Sequence, residues 1–93
     1  MIEVIKFGAA WCGPCKAYEP TIKSAIEKYN VEGSDVSFIS IDIDENIELA
    51  STYSIRAVPT TVFVSNGMVS AKKTGVLTLK QIEETINTIN QQI

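Results

Sequence analysis

Short apolar runs that suit β-strands alternate with longer segments of helical periodicity along this chain of 93 residues. The pattern predicts strands over residues 2–7, 36–42, 60–65 and 68–74, and helices over 13–30, 46–53 and from residue 78 onward. The first run is rich in Ile and Val, which indicates a strand that is buried on much of both faces and is therefore central. The order β-α-β-α-β-β-α predicts an α/β fold with a mixed four-stranded sheet between helices, in a single domain over residues 1–93.

Turn and helix signals are sharpest in the second half of the chain. Asn66-Gly67 predicts a tight hairpin, because a type I′ turn needs positive φ at both central positions. The strand after it alternates polar residues, as an edge strand does. Thr78 and Gln81 form a T-x-x-Q capping box at the start of an amphipathic helix. The predicted apolar stripes are Ile22, Ile26 and Tyr29 in the first helix, and Leu79, Ile82, Ile86, Ile89 and Ile93 in the last.

The composition excludes several kinds of chemistry. The chain has no histidine, so imidazole can serve neither as a general base nor as a metal ligand. Its two cysteines are too few for a four-ligand structural zinc site. A net charge of −3 provides no basic surface for nucleic acid. The apolar runs are too short to span a membrane and the first residues show no signal peptide, so we expect a cytoplasmic protein without nucleic-acid or membrane partners.

The segment Trp11-Cys12-Gly13-Pro14-Cys15 lies where the first strand meets the first helix. Cys12 precedes a helix amino terminus, whose free N–H groups and dipole stabilise a thiolate. Pro14 suits the first helical turn, where its missing N–H has no intrahelical partner. A disulfide across so short a loop contributes little stability. A reversible redox pair is therefore favoured over a structural disulfide, two unrelated thiols or half of an intermolecular metal site.

The segment Phe7–Lys16, FGAAWCGPCK, resembles the active-site segment of the thioredoxins. The resemblance covers nearly the whole chain and continues at Pro20, over Tyr53–Thr60 (YSIRAVPT), at Asn66-Gly67 and at Gly75. It implies a thioredoxin-like fold, here without the extra N-terminal strand and helix of full-length thioredoxins. It also implies an enzyme, a protein-disulfide reductase that acts as a small dithiol electron donor.

The resemblance assigns roles to the matching residues. Cys12 would attack a substrate disulfide, and Cys15 would resolve the mixed disulfide. Gly13 and Pro14 complete the active-site motif, and the bond between Val58 and Pro59 would be cis. A flat apolar surface for substrate docking would be formed by Trp11, Ala57, Val58, Pro59 and Gly75.

The resemblance also implies a set of partners. These are disulfide-containing protein substrates and a thioredoxin reductase or glutaredoxin-type reductant, with no metal and no cofactor beyond the Cys12–Cys15 disulfide. We expect a monomer. Two other functions remain open. A glutathione-linked, glutaredoxin-like protein needs a basic patch, for which Lys16 and Arg56 are weak candidates, and a non-catalytic module would hold a partner protein on its apolar rim.

The sequence departs from the thioredoxin pattern six residues before the first cysteine. The family carries a buried aspartate there that helps to move the proton of the resolving thiol, whereas this chain has Lys6. Lys6 shares a strand face with Ile2 and Val4, which predicts burial and requires a neutralising partner. Glu19, one helical turn after Cys15, is the candidate. We therefore predict a Lys6–Glu19 pair that relays the Cys15 proton; the alternative is a lysine that reaches solvent and an exposed glutamate.

Overall fold

The computed structural model describes residues 1–92 and contains the regular elements in the predicted order. The strands are β1 (Ile2–Gly8), β2 (Val36–Asp42), β3 (Thr60–Ser65) and β4 (Met68–Thr74). The helices are α1 (Gly13–Tyr29), α2 (Ile47–Thr52) and α3 (Leu79–Gln91). None of the helices in the described part of the chain is long and apolar enough to cross a membrane.

The strands form one mixed sheet in the order β2-β1-β3-β4. β1 runs parallel to β2 and antiparallel to β3, and β3 forms a hairpin with β4. β1 is therefore an inner strand and β4 an edge strand, as their sequences predict. Helices α1 and α3 pack on one face of the sheet and α2 on the other, which confirms the predicted α/β architecture.

The main core lies between the sheet and helices α1 and α3. Its members are Ile2, Val4, Phe63, Tyr18, Ile22, Ala25, Leu77, Ile82, Ile86 and Ile89. The predicted stripe of α3 is thus confirmed at its central positions, and Leu79 packs against the core while partly exposed. Ile93 lies outside the described residues. A second cluster on the opposite face contains Ile5, Phe7, Val62 and Val64, with side chains of α2 packed over it.

The predicted apolar stripe of α1 is wrong at Ile26, whose side chain is 42% exposed. Tyr18, Ile22 and Ala25 form the buried face instead, and Tyr29 packs against its edge. The helix therefore turns Ala25 toward the core, one residue earlier than the pattern predicts. The sequence pattern assigns the buried position to the larger apolar residue, Ile26, whereas the smaller Ala25 makes the contact with the core.

Local signals set the chain's path around β4 as predicted. Asn66 and Gly67 adopt φ values of 53° and 81°, which is the left-handed geometry that a type I′ turn requires. The Thr78 hydroxyl accepts from the Gln81 amide and the Gln81 side chain accepts from the Thr78 amide, so the capping box is confirmed. These two signals fix where β4 begins and where the chain turns into α3.

Candidate redox-active site

Cys12 and Cys15 form a disulfide at the junction between β1 and α1. Cys12 is the N-cap of α1, and Gly13 and Pro14 begin the first turn. The Cys12 amide donates to the Ala9 carbonyl at 3.1 Å, which tightens the loop that leaves β1. The cysteines are 4% and 3% exposed, so the pair is largely shielded from water.

The backbone around Cys12 favours negative charge on its sulfur. The Cys15 amide donates to Cys12 Sγ at 3.1 Å. The other free amides of the first turn and the helix dipole add positive potential at the same place. Cys12 Sγ also lies 3.7 Å from the Val58 carbonyl oxygen, which can accept a weak hydrogen bond from the thiol after reduction. These contacts give Cys12 the property that a nucleophilic thiol needs.

The loop that precedes β3 faces the disulfide. Its Val58–Pro59 peptide bond is cis, as the resemblance implies, and the Val58 side chain packs against the cluster of Ala9, Cys12 and Cys15. The Gly75 amide donates to the Pro59 carbonyl at 2.8 Å, and the Thr60 hydroxyl donates to the Ala57 carbonyl at 2.6 Å. Gly75 has a φ of 99°, a conformation that favours glycine. The loop is therefore tied to the segment after β4 at Pro59 and braced internally by the Thr60 hydroxyl.

Apolar groups surround the disulfide on its exposed side. Trp11 is 68% exposed, Ala57 is exposed and Val58 is half-buried. Pro59 is itself buried, so it shapes this surface through the backbone of its loop rather than through its ring. The structure thus brings the predicted docking residues together, with Gly75 hydrogen-bonded beside Pro59.

Asp44 is a site residue that the sequence reasoning missed. Its carboxylate accepts a hydrogen bond from Trp11 Nε1 at 2.8 Å, and its own amide donates to Asp42 Oδ1 at 2.8 Å. A signal for it exists, because an Asp-x-Asp pattern at a strand end is typical of a local side-chain turn. The loops that follow two parallel strands also begin at the same end of the sheet. The contact anchors an otherwise exposed indole beside Cys12.

Lys6 and Glu19 line one cavity of about 250 Å³ beside Cys15, together with Gly8 and Asp42. Lys6 is half-buried rather than buried, and Glu19 is exposed. Across residues 1–92 no direct ion pair joins the two side chains, in contrast to the predicted pair. The reason is helical phase, because Tyr18 rather than its neighbour Glu19 takes the core-facing position of α1. The two side chains therefore line the same cavity, but no ion pair within the described part of the chain joins them.

A buried hydroxyl pair lies next to Lys6 inside the core. The hydroxyls of Tyr18 and Thr61 are 2.9 Å apart, and either can donate. Thr61 is the residue opposite Lys6 in the antiparallel pairing of β1 with β3. Burial raises the pKa of Tyr18 above its usual value, and the hydrogen bond to Thr61 partly offsets that rise. The sequence reasoning did not find this pair, because it joins residues that are 43 positions apart.

The fold and the site together define a class of protein. It is a small α/β redox domain with a dithiol–disulfide pair at the amino end of its first helix and a cis-proline loop facing that pair. Among residues 1–92 no group of three or more His, Cys, Asp or Glu side chains is placed to hold a metal ion. The chemistry that the site's own side chains offer is sulfur exchange.

Comparison with known proteins identifies the family. The family model described as Thioredoxin matches residues 2–88. Thioredoxin H2-1 of Oryza sativa subsp. japonica is 38% identical over 95% of the chain, which spans 60% of that protein's length. A thioredoxin of Mycoplasmoides gallisepticum is 32% identical over 87% of the chain, which spans 77% of its length.

A solved structure agrees with these relatives. The X-ray structure of Fasciola hepatica thioredoxin is similar to this fold with a TM-score of 0.83 and 32% identity, over 94% of this chain and 79% of that chain. The chain belongs to the thioredoxin family, and its fold is thioredoxin-like, as the motifs imply.

Proposed function

We propose that this chain is a thiol–disulfide oxidoreductase, a protein-disulfide reductase that acts as a small dithiol electron donor. The observation that carries the proposal is the Cys12–Cys15 disulfide at the start of α1, with the apolar Val58–Pro59 loop packed against it. Membership of the thioredoxin family supports the same reaction. The rice relative is longer than this chain, so we assign only the activity of the shared domain.

The proposed reaction exchanges disulfide bonds and transfers two electrons. The Cys12 thiolate attacks one substrate sulfur, an S–S bond forms between them, and the other substrate sulfur leaves as a thiolate. Cys15 then loses its proton and attacks Cys12 Sγ. This closes the Cys12–Cys15 disulfide and releases the second substrate thiolate. Both released thiolates take up protons, so the substrate is reduced and the chain is oxidised. A thioredoxin reductase or a glutaredoxin-type reductant would return the two electrons.

The apolar surface around the disulfide would dock the substrate chain. Its members would be Trp11, Ala57, Val58, Pro59 and Gly75, and an extended substrate segment would pair with the backbone of Val58 as an added strand. The 68% exposure of the Trp11 side chain supports a role in burying apolar substrate groups. The hydrogen bond to Asp44 supports this role further, because it holds the indole in one place.

We further propose that the chain acts in the cytoplasm as a monomer. It would use no metal and no cofactor beyond the Cys12–Cys15 disulfide, and it would have no nucleic-acid or membrane partner. The net charge of −3 supports the absence of a nucleic-acid partner. The cysteine spacing supports a redox use in a reducing compartment rather than a structural staple.

A relay for the Cys15 proton completes the proposal. Cys15 lines the same cavity as Lys6 and Glu19. Because Glu19 is exposed, water in this cavity can connect the thiol with that carboxylate and with solvent. We expect Glu19→Gln to alter the pH dependence of disulfide reduction. Unchanged pH–rate profiles in both Glu19→Gln and Lys6→Met would contradict a relay through either group.

The activity can be tested by the reduction of insulin disulfides with NADPH and a purified thioredoxin reductase. A parallel assay with glutathione and glutathione reductase tests the glutaredoxin-like alternative. Cys12→Ser is expected to abolish turnover, and Cys15→Ser is expected to accumulate a mixed disulfide that mass spectrometry detects. Full turnover in Cys12→Ser would contradict the proposal. A double serine variant that keeps its biological role would instead favour a non-catalytic module.

A further inference from the structure

Lys6 lies near the buried sulfur of the redox pair. It lies on β1, two residues before Gly8, and a β-carbon added at Gly8 would lie 3.4 Å from Cys15 Sγ and 3.6 Å from Lys6 Cε. The distance between Cys15 Sγ and Lys6 Cε therefore cannot exceed the sum of these two distances. Because Gly8 has no side chain to stand between them, the lysine stem and the sulfur line the same cavity.

The other charged groups that line this cavity are two carboxylates. Glu19 faces it from α1 but is exposed, so water and salt screen its charge. Asp42 faces it from the end of β2, where Asp42 Oδ1 accepts the Asp44 amide at 2.8 Å. That hydrogen bond places part of the carboxylate charge in the loop after β2. Among the described side chains that line the cavity, Lys6 is therefore the one cation.

Apart from Lys16, the exposed residue that follows Cys15 on α1, the other groups near Cys15 carry no charge near neutral pH. Tyr18 lies about one helical turn after Cys15 on α1 and stays protonated, because burial raises the pKa of that phenol above its usual value. Thr61 on β3 contributes a neutral hydroxyl, and Val58 contributes apolar contact from the loop before β3. In the mixed disulfide that precedes resolution, Cys12 is bonded to substrate and carries no charge.

Cys15 needs such help more than Cys12 does. Both residues are about equally buried, at 3% exposure for Cys15 and 4% for Cys12, and burial disfavours a thiolate. The difference is that Cys12 Sγ accepts a hydrogen bond from the Cys15 amide, whereas no amide of the described residues donates to Cys15 Sγ. The chain also has no histidine that could hold a proton or a charge at this place.

We infer that Lys6 is a positioning residue whose ammonium stabilises the Cys15 thiolate by its charge and so speeds resolution of the mixed disulfide. The inference rests on the proposed function, in which Cys15 resolves that intermediate. Lys6 neither gives nor takes a proton in the step. The Cys15 proton leaves to water in the cavity, the Cys15 electron pair forms the bond to Cys12 Sγ, and the bond between Cys12 and the substrate sulfur breaks.

The size of the effect follows from simple electrostatics. Loss of one partly screened charge at this range changes the ionisation constant of a thiol by about tenfold. At neutral pH the thiolate fraction then falls by about tenfold, while the less acidic thiol is intrinsically about threefold more nucleophilic, because the Brønsted slope is roughly 0.4–0.5. Resolution is therefore expected to slow by about threefold.

Three lysine variants test the inference. Lys6→Met removes the charge, Lys6→Arg keeps it, and Lys23→Met is the matched control, since Lys23 is an exposed lysine of α1 outside the cavity. In a Cys12→Ala background, the rate of Cys15 alkylation by iodoacetamide is measured against pH. We expect Lys6→Met to raise the pH midpoint by about one unit, and Lys6→Arg and Lys23→Met to leave it in place. With both cysteines present, Lys6→Met is expected to prolong the mixed disulfide about threefold.

The outcomes separate charge from proton transfer and from failure of the proposed function. An unchanged midpoint in folded Lys6→Met overturns the inference, and so does a Lys6→Arg variant that behaves like Lys6→Met. If circular dichroism shows that Lys6→Met does not fold, Lys6→Gln replaces it. This neutral variant must then raise the midpoint, and no change overturns the inference. Failure of the proposed function would appear separately, as disulfide reduction that persists in Cys12→Ser.

Discussion

The buried hydroxyls of Tyr18 and Thr61 allow a quantitative test of how the core is held beneath the redox pair. Their oxygens are 2.9 Å apart and both side chains are 0% exposed. Tyr18→Phe or Thr61→Val removes one hydroxyl and leaves the other buried without this partner. Such an orphaned group costs about 1–3 kcal/mol, so each single variant is expected to lower the free energy of unfolding by that amount.

The double variant is expected to lose less than the two single variants together. It removes both hydroxyls, so no polar group is left unsatisfied in the core. The coupling between the two sites should therefore be about 1–2 kcal/mol. For a domain of this size, each kcal/mol corresponds to roughly 4–8 °C in Tm, so the non-additivity is measurable by thermal unfolding as well.

The assay is urea unfolding of the oxidised protein, with the Cys12–Cys15 disulfide formed in every variant. The matched control is Tyr53→Phe, because Tyr53 is half-buried and the described residues include no hydrogen bond from its hydroxyl. We expect that control to change the free energy of unfolding by no more than about 0.5 kcal/mol. Additive losses for Tyr18→Phe and Thr61→Val would refute the reasoning, since they would mean that the two hydroxyls stabilise the fold independently.

Three further predictions concern pH, a helix cap and the indole. Burial raises the folded-state pKa of Tyr18 above its usual value of 10.0, so wild-type stability should fall as pH rises above that value. Tyr18→Phe has no phenol at this position, so its urea midpoint should fall less than that of the wild type between about pH 9 and pH 11. An identical fall in both proteins would count against the prediction. Thr78→Ala removes the capping box and should cost about 1 kcal/mol in thermal unfolding; no measurable loss would contradict the assigned cap. Asp44→Ala frees the only tryptophan, so the fluorescence anisotropy of Trp11 should fall, whereas Glu45→Ala should not change it. Equal anisotropy in all three proteins would show that the hydrogen bond does not restrain the indole.

Elements whose signals are local could be predicted from the sequence. The turn at Asn66-Gly67 depends on two residues that tolerate positive φ, and both adopt it. The cap of α3 depends on Thr78 and Gln81, which are three residues apart and bond each other. In each case the interacting groups are close in the chain, so their spacing alone specifies the contact.

Features that depend on packing between distant segments were predicted less well. The buried face of α1 includes Ala25 and excludes Ile26, because the contact with the sheet rather than the size of the side chain decides which residue turns inward. The same rotation places Tyr18 in the core and Glu19 outside it. A difference of one residue in helical phase thus removes the predicted ion pair with Lys6 and creates the hydroxyl pair with Thr61 instead.

The topology of the sheet explains why one short motif gathers a complete site. β1 and β2 are parallel, so their carboxyl ends meet, and Gly8 lies beside Asp42. β3 is antiparallel to β1 and therefore begins at this same edge, where Thr60 pairs with Phe7. β4 is antiparallel to β3 and therefore ends there, opposite Thr60.

Four loops therefore lie at one end of the sheet, and each supplies a different part of the site. The loop after β1 carries Cys12, the loop after β2 carries Asp44, the loop before β3 carries Pro59 and the loop after β4 carries Gly75. The alternation of side chains along β1 then decides which residue lies beneath these loops. Lys6 faces α1 because successive side chains of a strand alternate between faces, and a slip of one residue in β1 would present an apolar neighbour to the cavity instead. The charge beside the resolving sulfur is thus a property of the pairing between β1 and its neighbours, and the Cys-Gly-Pro-Cys motif alone does not specify it.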